Sequence, residues 1–198
     1  MKYVFVSFIT ILTLLCSISS LQAQASTSGK DFWFSFGNNS DQAYSNISLQ
    51  FRIVTTKNTE ATITFTETGE VIPLSLSANT VYTHDLTLAQ KQAVYSDITG
   101  KTSKSIHIQT DENVSVYAVN TMRLITDVTI ILPIGALGNS YYHLSYTPAV
   151  PALPDGYTIV AVENNTIIYE DGVHKTELNK GKNLAKYVVD KEKIKALL

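Results

Sequence analysis

Turn-forming residues recur along this chain at roughly ten-residue spacing, and the segments between them alternate apolar with polar side chains, which leaves room for strands and almost none for helices. Ile47, Leu49, Phe51 and Ile53 occupy alternate positions, Lys57-Asn58-Thr59 makes a turn, and Ile63 and Phe65 point inward again. Thr68-Gly69-Glu70 turns the chain before two more strands, at 71–76 and 81–86. Ser77-Ala78-Asn79 separates these, with Asn79 suited to a left-handed backbone. Residues 88–94 suit a short helix. A strand at 128–132 is stopped by Pro133, and another is expected at 141–146. About eight short strands at this spacing predict an all-β chain, an antiparallel β-sandwich of immunoglobulin or jelly-roll type. A parallel α/β fold is excluded. A β-propeller is the alternative, although the turns show no clean period of ~40 to 45 residues.

The most regular stretch is 106–120. Ile106 and Ile108 alternate with His107 and Gln109, Thr110-Asp111-Glu112-Asn113 supplies turn formers, and Val114, Val116 and Ala118 then alternate with Ser115, Tyr117 and Val119. This predicts a β-hairpin. Tyr117 and Val119 are themselves apolar, so the second strand is expected to lie centrally or to be covered on both faces.

A basic Lys2, an apolar run from Tyr3 to Leu15 and small residues at Ala23 and Ala25 mark residues 1–25 as a secretory signal peptide. The run is shorter than the ~20 residues of a membrane-spanning helix, so no membrane span is expected after cleavage. Export, to the extracellular space or cell surface with the periplasm as a further possibility, is the expected localisation. Cys16 is the only cysteine and lies in the leader, so the mature chain has neither disulfide nor thiol nucleophile and must be held by packing. With 16% charged residues and a net charge of −2, the chain lacks the basic stripe that nucleic acid requires.

A longer repeat overlies the strands. Residues 51–58 (FRIVTTKN) are echoed by 157–164 (YTIVAVEN), Thr62-Ile63-Thr64-Phe65 by Thr166-Ile167-Ile168-Tyr169, and Leu76-Ser77-Ala78-Asn79 by Leu178-Asn179-Lys180-Gly181. Each copy runs on to a helix-prone piece, 88–94 and 191–198. The expected organisation is a first β module at 29–147, a Pro-bounded linker at 148–155 and an incomplete second β repeat at 156–198. Two outcomes are expected for the second copy: the chain is a fragment of a longer secreted protein, or its tail pairs back onto the first module as extra strands.

The opening Asp31-Phe32-Trp33-Phe34-Ser35-Phe36 places three phenylalanines on one strand face. With the preceding Gly29-Lys30 it resembles the start of the IgGFc-binding protein N-terminal domain. That family comprises extracellular modules of mucus-associated animal proteins and of secreted or surface bacterial proteins. Residues 114–120 (VSVYAVN), 126–133 (TDVTIILP), 136–142 (ALGNSYY) and Ile159-Val160-Ala161 with Asn165-Thr166 are similar to it in order and spacing. The resemblance implies adhesion or surface binding of a protein or glycan ligand, and it brings no catalytic residues with it.

Residue chemistry agrees. His84, His107, His143 and His174 are scattered among strands without metal-ligand spacing, and there is no G-x-S-x-G elbow, P-loop or G-x-G-x-x-G. No cofactor, metal or enzymatic role is expected. Asp111-Glu112, Glu67 with Glu70, and Glu170-Asp171 read as solvated turn carboxylates, and Asp127 as a residue that bonds backbone donors of the preceding loop. A carbohydrate-active domain, which needs only two acids across a groove, ranks behind a non-catalytic binding module and a structural spacer. The candidates for ligand contact are Arg123, Tyr141 and Tyr142 near the ends of late strands, and Trp33. The last reads either as an exposed stacking platform or, more economically, as an aromatic packed over the core edge.

Overall fold

The computed structural model describes residues 26–39, 45–96, 99–123, 125–143, 155–188 and 194–197. It is nearly all β, with curled antiparallel sheets in a sandwich-like arrangement. The signal peptide and most of the expected linker lie outside the described residues, as do residues 144–146 of the expected 141–146 strand.

Residues 106–120 do not form a hairpin. They belong to one strand, β9 (Ile106–Met122). None of residues 110–113 adopts positive φ, and Glu112 is bonded across the sheet. Thr110 Oγ1 donates to the Glu112 carbonyl at 2.8 Å, the Glu112 amide donates to Thr59 Oγ1 at 2.9 Å, and the Glu112 carboxylate pairs with Lys57 at 3.0 Å. The turn formers therefore bend the strand instead of reversing it.

The partners of β9 bend at the same place. β3 (Ile47–Thr55) and β4 (Thr59–Phe65) both run antiparallel to it; Thr55 lies opposite Val114 and Ala61 opposite Thr110, so residues 56–60 face 111–113. Lys57-Asn58-Thr59 is a kink between two collinear strands, where the sequence suggested a turn. β5 (Glu70–Leu76) and β6 (Thr80–Asp85) return along them in unbroken register, with Thr59 opposite Leu76 and Thr55 opposite Thr80. Asn58 Oδ1 accepts the Ala78 amide across the two kinks at 2.7 Å, and Asn79 takes φ +58°. The result is one long ribbon folded at a corner. Its far edge is lined by β9, and β9 by β1 (Gly29–Phe34) and β10 (Ile125–Ile131), so β9 is central, as the apolar Tyr117 and Val119 required.

Folding the ribbon brings its two arms face to face, and alternation then sets the core. In β3 and β4 every second residue is buried, and Phe34 of one arm meets Phe51 of the other edge-on at 6.0 Å. Phe32, Phe34 and Phe36 all point inward. β2 (Phe36–Gly37) pairs in parallel with β7 (Tyr95–Ser96), next to the short helix α1 (Leu88–Val94), whose Thr87 and Gln90 form a capping box. Gly29 lies so close to Pro133 that a Cβ has no room, which ties β1 to the 3₁₀ turn Ile134–Ala136 after β10.

The later segments pair in the same strand order as β3 to β6. β12 (Asp155–Val160) and β13 (Thr166–Glu170) pair with β15 (Asn183–Val188) and β14 (Val173–Leu178), giving a second bent ribbon. Asn164 Oδ1 accepts the Lys180 amide at 3.1 Å, the counterpart of the Asn58–Ala78 bond, and Asp171-Gly172, both at positive φ, close the hairpin. The helix-prone tail departs from expectation: Ile194–Leu197 is a strand, β16, paired with β11 (Ser140–His143).

The second ribbon is bonded to the first. β15 pairs with β8 (Gly100–Thr102), and the buried Asn183 donates to Ser96 Oγ at 2.8 Å and Ser35 Oγ at 3.2 Å while accepting from Thr102 Oγ1. Ser105 Oγ donates to the Gly181 carbonyl at 2.7 Å. Its own core is small: Ala161, Ile168 and Leu178, with Ile159 and Leu184 packed beside them.

Candidate functional site

A cavity of about 550 Å³ is a groove between two turns. One wall is the segment after β10, with Ile134, Leu137 and Asn139. The other is the corner of the second ribbon, with Val162, Asn164, Asn165 and Ile167. Both walls are stiff for local reasons. On the first, the Leu137 amide donates to the Ile134 carbonyl at 3.1 Å, and the Gly138 amide donates to Tyr141 Oη at 3.0 Å. On the second, Asn165 sits at φ +58° with its amide donating to Asn179 Oδ1, and Thr166 Oγ1 donates to the Glu163 carbonyl at 2.9 Å. The lining mixes aliphatic side chains with Asn139, Asn164 and Asn165, and Glu163 is its one charged residue among the described residues. Such a pocket suits an uncharged, amphiphilic surface.

The sequence candidates fall in different places. Tyr141 braces this groove through its hydroxyl, and Tyr142, its neighbour on β11, is 71% exposed. Arg123 is an exposed residue at φ +45° in the tight β9–β10 turn and does not line the groove. Trp33 is not an exposed platform. It stacks on His107 at 3.9 Å, the Lys180 ammonium lies 5.6 Å from its ring centre, and Gly181 packs against its edge. Its Nε1 is buried with no hydrogen-bond partner among the described residues. The indole is the seam between the two ribbons. Burial pushes the His107 imidazole below its usual pKa, and the hydrogen bond from its Nε2 to the Asp31 carboxylate, at 2.8 Å, works against that shift.

Two carboxylates differ from the sequence reading. Glu170 is buried, not solvated: Tyr157 Oη donates to it at 2.7 Å, Lys186 at 2.7 Å, and Lys175 lies 3.0 Å away. Burial alone raises its pKa, but the hydrogen bonds from Lys186, Tyr157 and Lys175 outweigh that and bring it down to about 2. Its alternation with buried Ile168 was the available signal. Asp127 is exposed on β10, opposite Asn120, and its carboxylate makes no hydrogen bond among the described residues. Among these residues no group of three or more His, Cys, Asp or Glu is placed to hold a metal ion. No helix among them is long and apolar enough to cross a membrane.

The described residues define an all-β, sandwich-like module. The chain belongs to the IgGFc binding protein family, whose model matches residues 18–195, nearly its whole length. That family is one of binding domains. No curated protein and no solved structure matches the chain.

Proposed function

We propose that this chain is an exported, surface-exposed, non-catalytic adhesion module that holds its ligand in the groove between residues 134–139 and 162–167. The observation that carries this reading is the stiffness of both groove walls within a member of a binding-domain family. A prepaid backbone conformation lowers the ordering cost of binding. Extracellular location fits the apolar leader and the cysteine-free mature chain. The ligand is an extracellular protein or glycan surface. A pocket lined by aliphatic side chains and asparagine amides serves either.

The test is a binding screen of the mature chain against immobilised extracellular proteins and a glycan array. Saturable binding lost in Ile167→Arg and kept in Arg123→Ala supports the groove. Loss in Arg123→Ala with retention in Ile167→Arg moves the site to the β9–β10 turn, and silence across the whole panel leaves a structural spacer.

A further inference from the structure

Most of the described lysine side chains are committed within the fold. Lys57 pairs with Glu112, and Lys175 and Lys186 pair with Glu170, while Lys30, Lys91 and Lys104 donate to the main-chain carbonyls of Asp111, Ile47 and Tyr95. Lys101, Lys180 and Lys182 differ. Among the described residues Lys101 has neither hydrogen bond nor ion pair, Lys182 donates to the Ser103 hydroxyl alone, and Lys180 lies over the Trp33 ring without a carboxylate beside it. Lys101 and Lys182 are exposed and line one open cleft of about 320 Å³ on the seam between the ribbons. β8 brings Lys101 and, just beyond its end, Ser103; β14 and the turn into β15 bring Glu177, Asn179 and Lys182. Pairing of β8 with β15 makes the cleft, since Ser103 and Lys182, which touch, are 79 residues apart in the chain. It shares no lining residue with the groove of residues 134–139 and 162–167.

We infer that this cleft is a second binding site, for an acidic saccharide whose carboxylate or sulfate group is taken by Lys101 and Lys182. Like charges lining one cleft repel each other, and an anion shared between them removes that cost. Glu177 narrows the class. Its carboxylate is exposed and has no partner among the described residues, so it accepts hydroxyl donors and opposes a second close anion. Asn179 Oδ1 already accepts the Asn165 amide at 3.3 Å, which leaves its Nδ2 to donate. A ligand that meets all four side chains carries isolated anions spaced by hydroxyl groups, as an acidic saccharide does. An acidic peptide lacks the hydroxyls, and a nucleic acid strand is too densely charged for a cleft holding Glu177 in a chain of net charge −2.

The experiment is titration calorimetry of the full mature chain with a heparin-derived hexasaccharide, a hyaluronan hexasaccharide, neutral cellohexaose and hexaglutamate. The first two separate sulfate from carboxylate as the anion. The expected result is saturable binding of at least one of them, none of cellohexaose, and binding of hexaglutamate weaker by about tenfold or more. Changing Lys101→Gln and Lys182→Gln together weakens saccharide binding about tenfold or more. Changing Lys30→Gln and Lys57→Gln together removes the same net charge elsewhere and weakens it by less than about threefold. Circular dichroism checks the fold of each variant. Equal weakening in the two double variants overturns the inference, because the attraction is then a general field and not this cleft. Silence with both acidic saccharides overturns it too, as does hexaglutamate binding as tightly as they do, which makes an acidic peptide the ligand.

Discussion

Glu170 shows how much one side chain depends on partners far along the sequence. Its carboxylate is 7% exposed and is held by Lys175, Lys186 and Tyr157. Its pKa is lowered from 4.5 to about 2 in the fold, so the stabilisation it brings is complete above pH ~4.5 and is lost as pH falls through 2. Glu170→Gln is expected to cost on the order of 2 kcal/mol at pH 7, because two partly exposed lysines lose their counter-charge. The gap from wild type should narrow steadily below pH 4.5, as read from urea unfolding at a series of pH values. A constant gap across that range contradicts the assignment. Gly181 makes the second residue-scale case. It sits at φ +79°, and a Cβ there lies 3.0 Å from both Trp33 Cζ3 and Thr66 Cγ2. Gly181→Ala should cost about 1–2 kcal/mol and alter the emission of Trp33, the only tryptophan, since strain and contact fall on the indole together. Neither cost is legible in the sequence, which shows alternation and turn formers but not the lysine or the ring that arrives from elsewhere.

At the scale of elements, local chemistry marked the breaks in the strands, but the sequence reading took two of them for reversals where the chain bends and runs on. Asn79 was legible as a left-handed residue because short amides tolerate that region wherever they stand. Lys57-Asn58-Thr59 and Thr110-Asp111-Glu112-Asn113 were legible as breaks too, but a kink and a reversal use the same residues. What selects the kink is non-local: β3 and β4 present one continuous edge to β9, and all three bend together, each filling the other's bonds. The corner amides then have a defined value. Asn58→Ala and Asn164→Ala each remove one side-chain acceptor from a backbone donor, Ala78 in one ribbon and Lys180 in the other. Each should cost about 1 kcal/mol, and the two should add, since the corners share no partner. Double-mutant chemical unfolding measures this; strong coupling between the two sites would mean that the corners are not independent.

The whole molecule is held at its seam by groups that no sequence pattern joins. Asn183 and Ser35, bonded at 3.2 Å, are 148 residues apart, and Ser96 and Thr102 complete the buried node. The strands of both ribbons were legible because alternation is a local pattern. The seam was not, because single polar residues far apart carry no period. Its consequence is cooperative unfolding. Among the described residues the second ribbon's own core cluster is Ala161, Ile168 and Leu178, small for a free-standing ribbon, whereas the first module has a continuous core of phenylalanines and isoleucines. The second ribbon thus depends on β8, Asn183 and the Trp33 contact, and it should be lost when they are. Asn183→Ala is expected to cost about 2–3 kcal/mol by leaving Ser35, Ser96 and Thr102 with fewer buried partners. In the wild-type chain, Trp33 fluorescence, which reads the seam, and far-ultraviolet circular dichroism, which reads strands throughout, should trace one coincident denaturant transition. Two separated transitions, with the fluorescence change first, would instead mean that the ribbon peels away while the first module stands, and that its strands carry stability of their own.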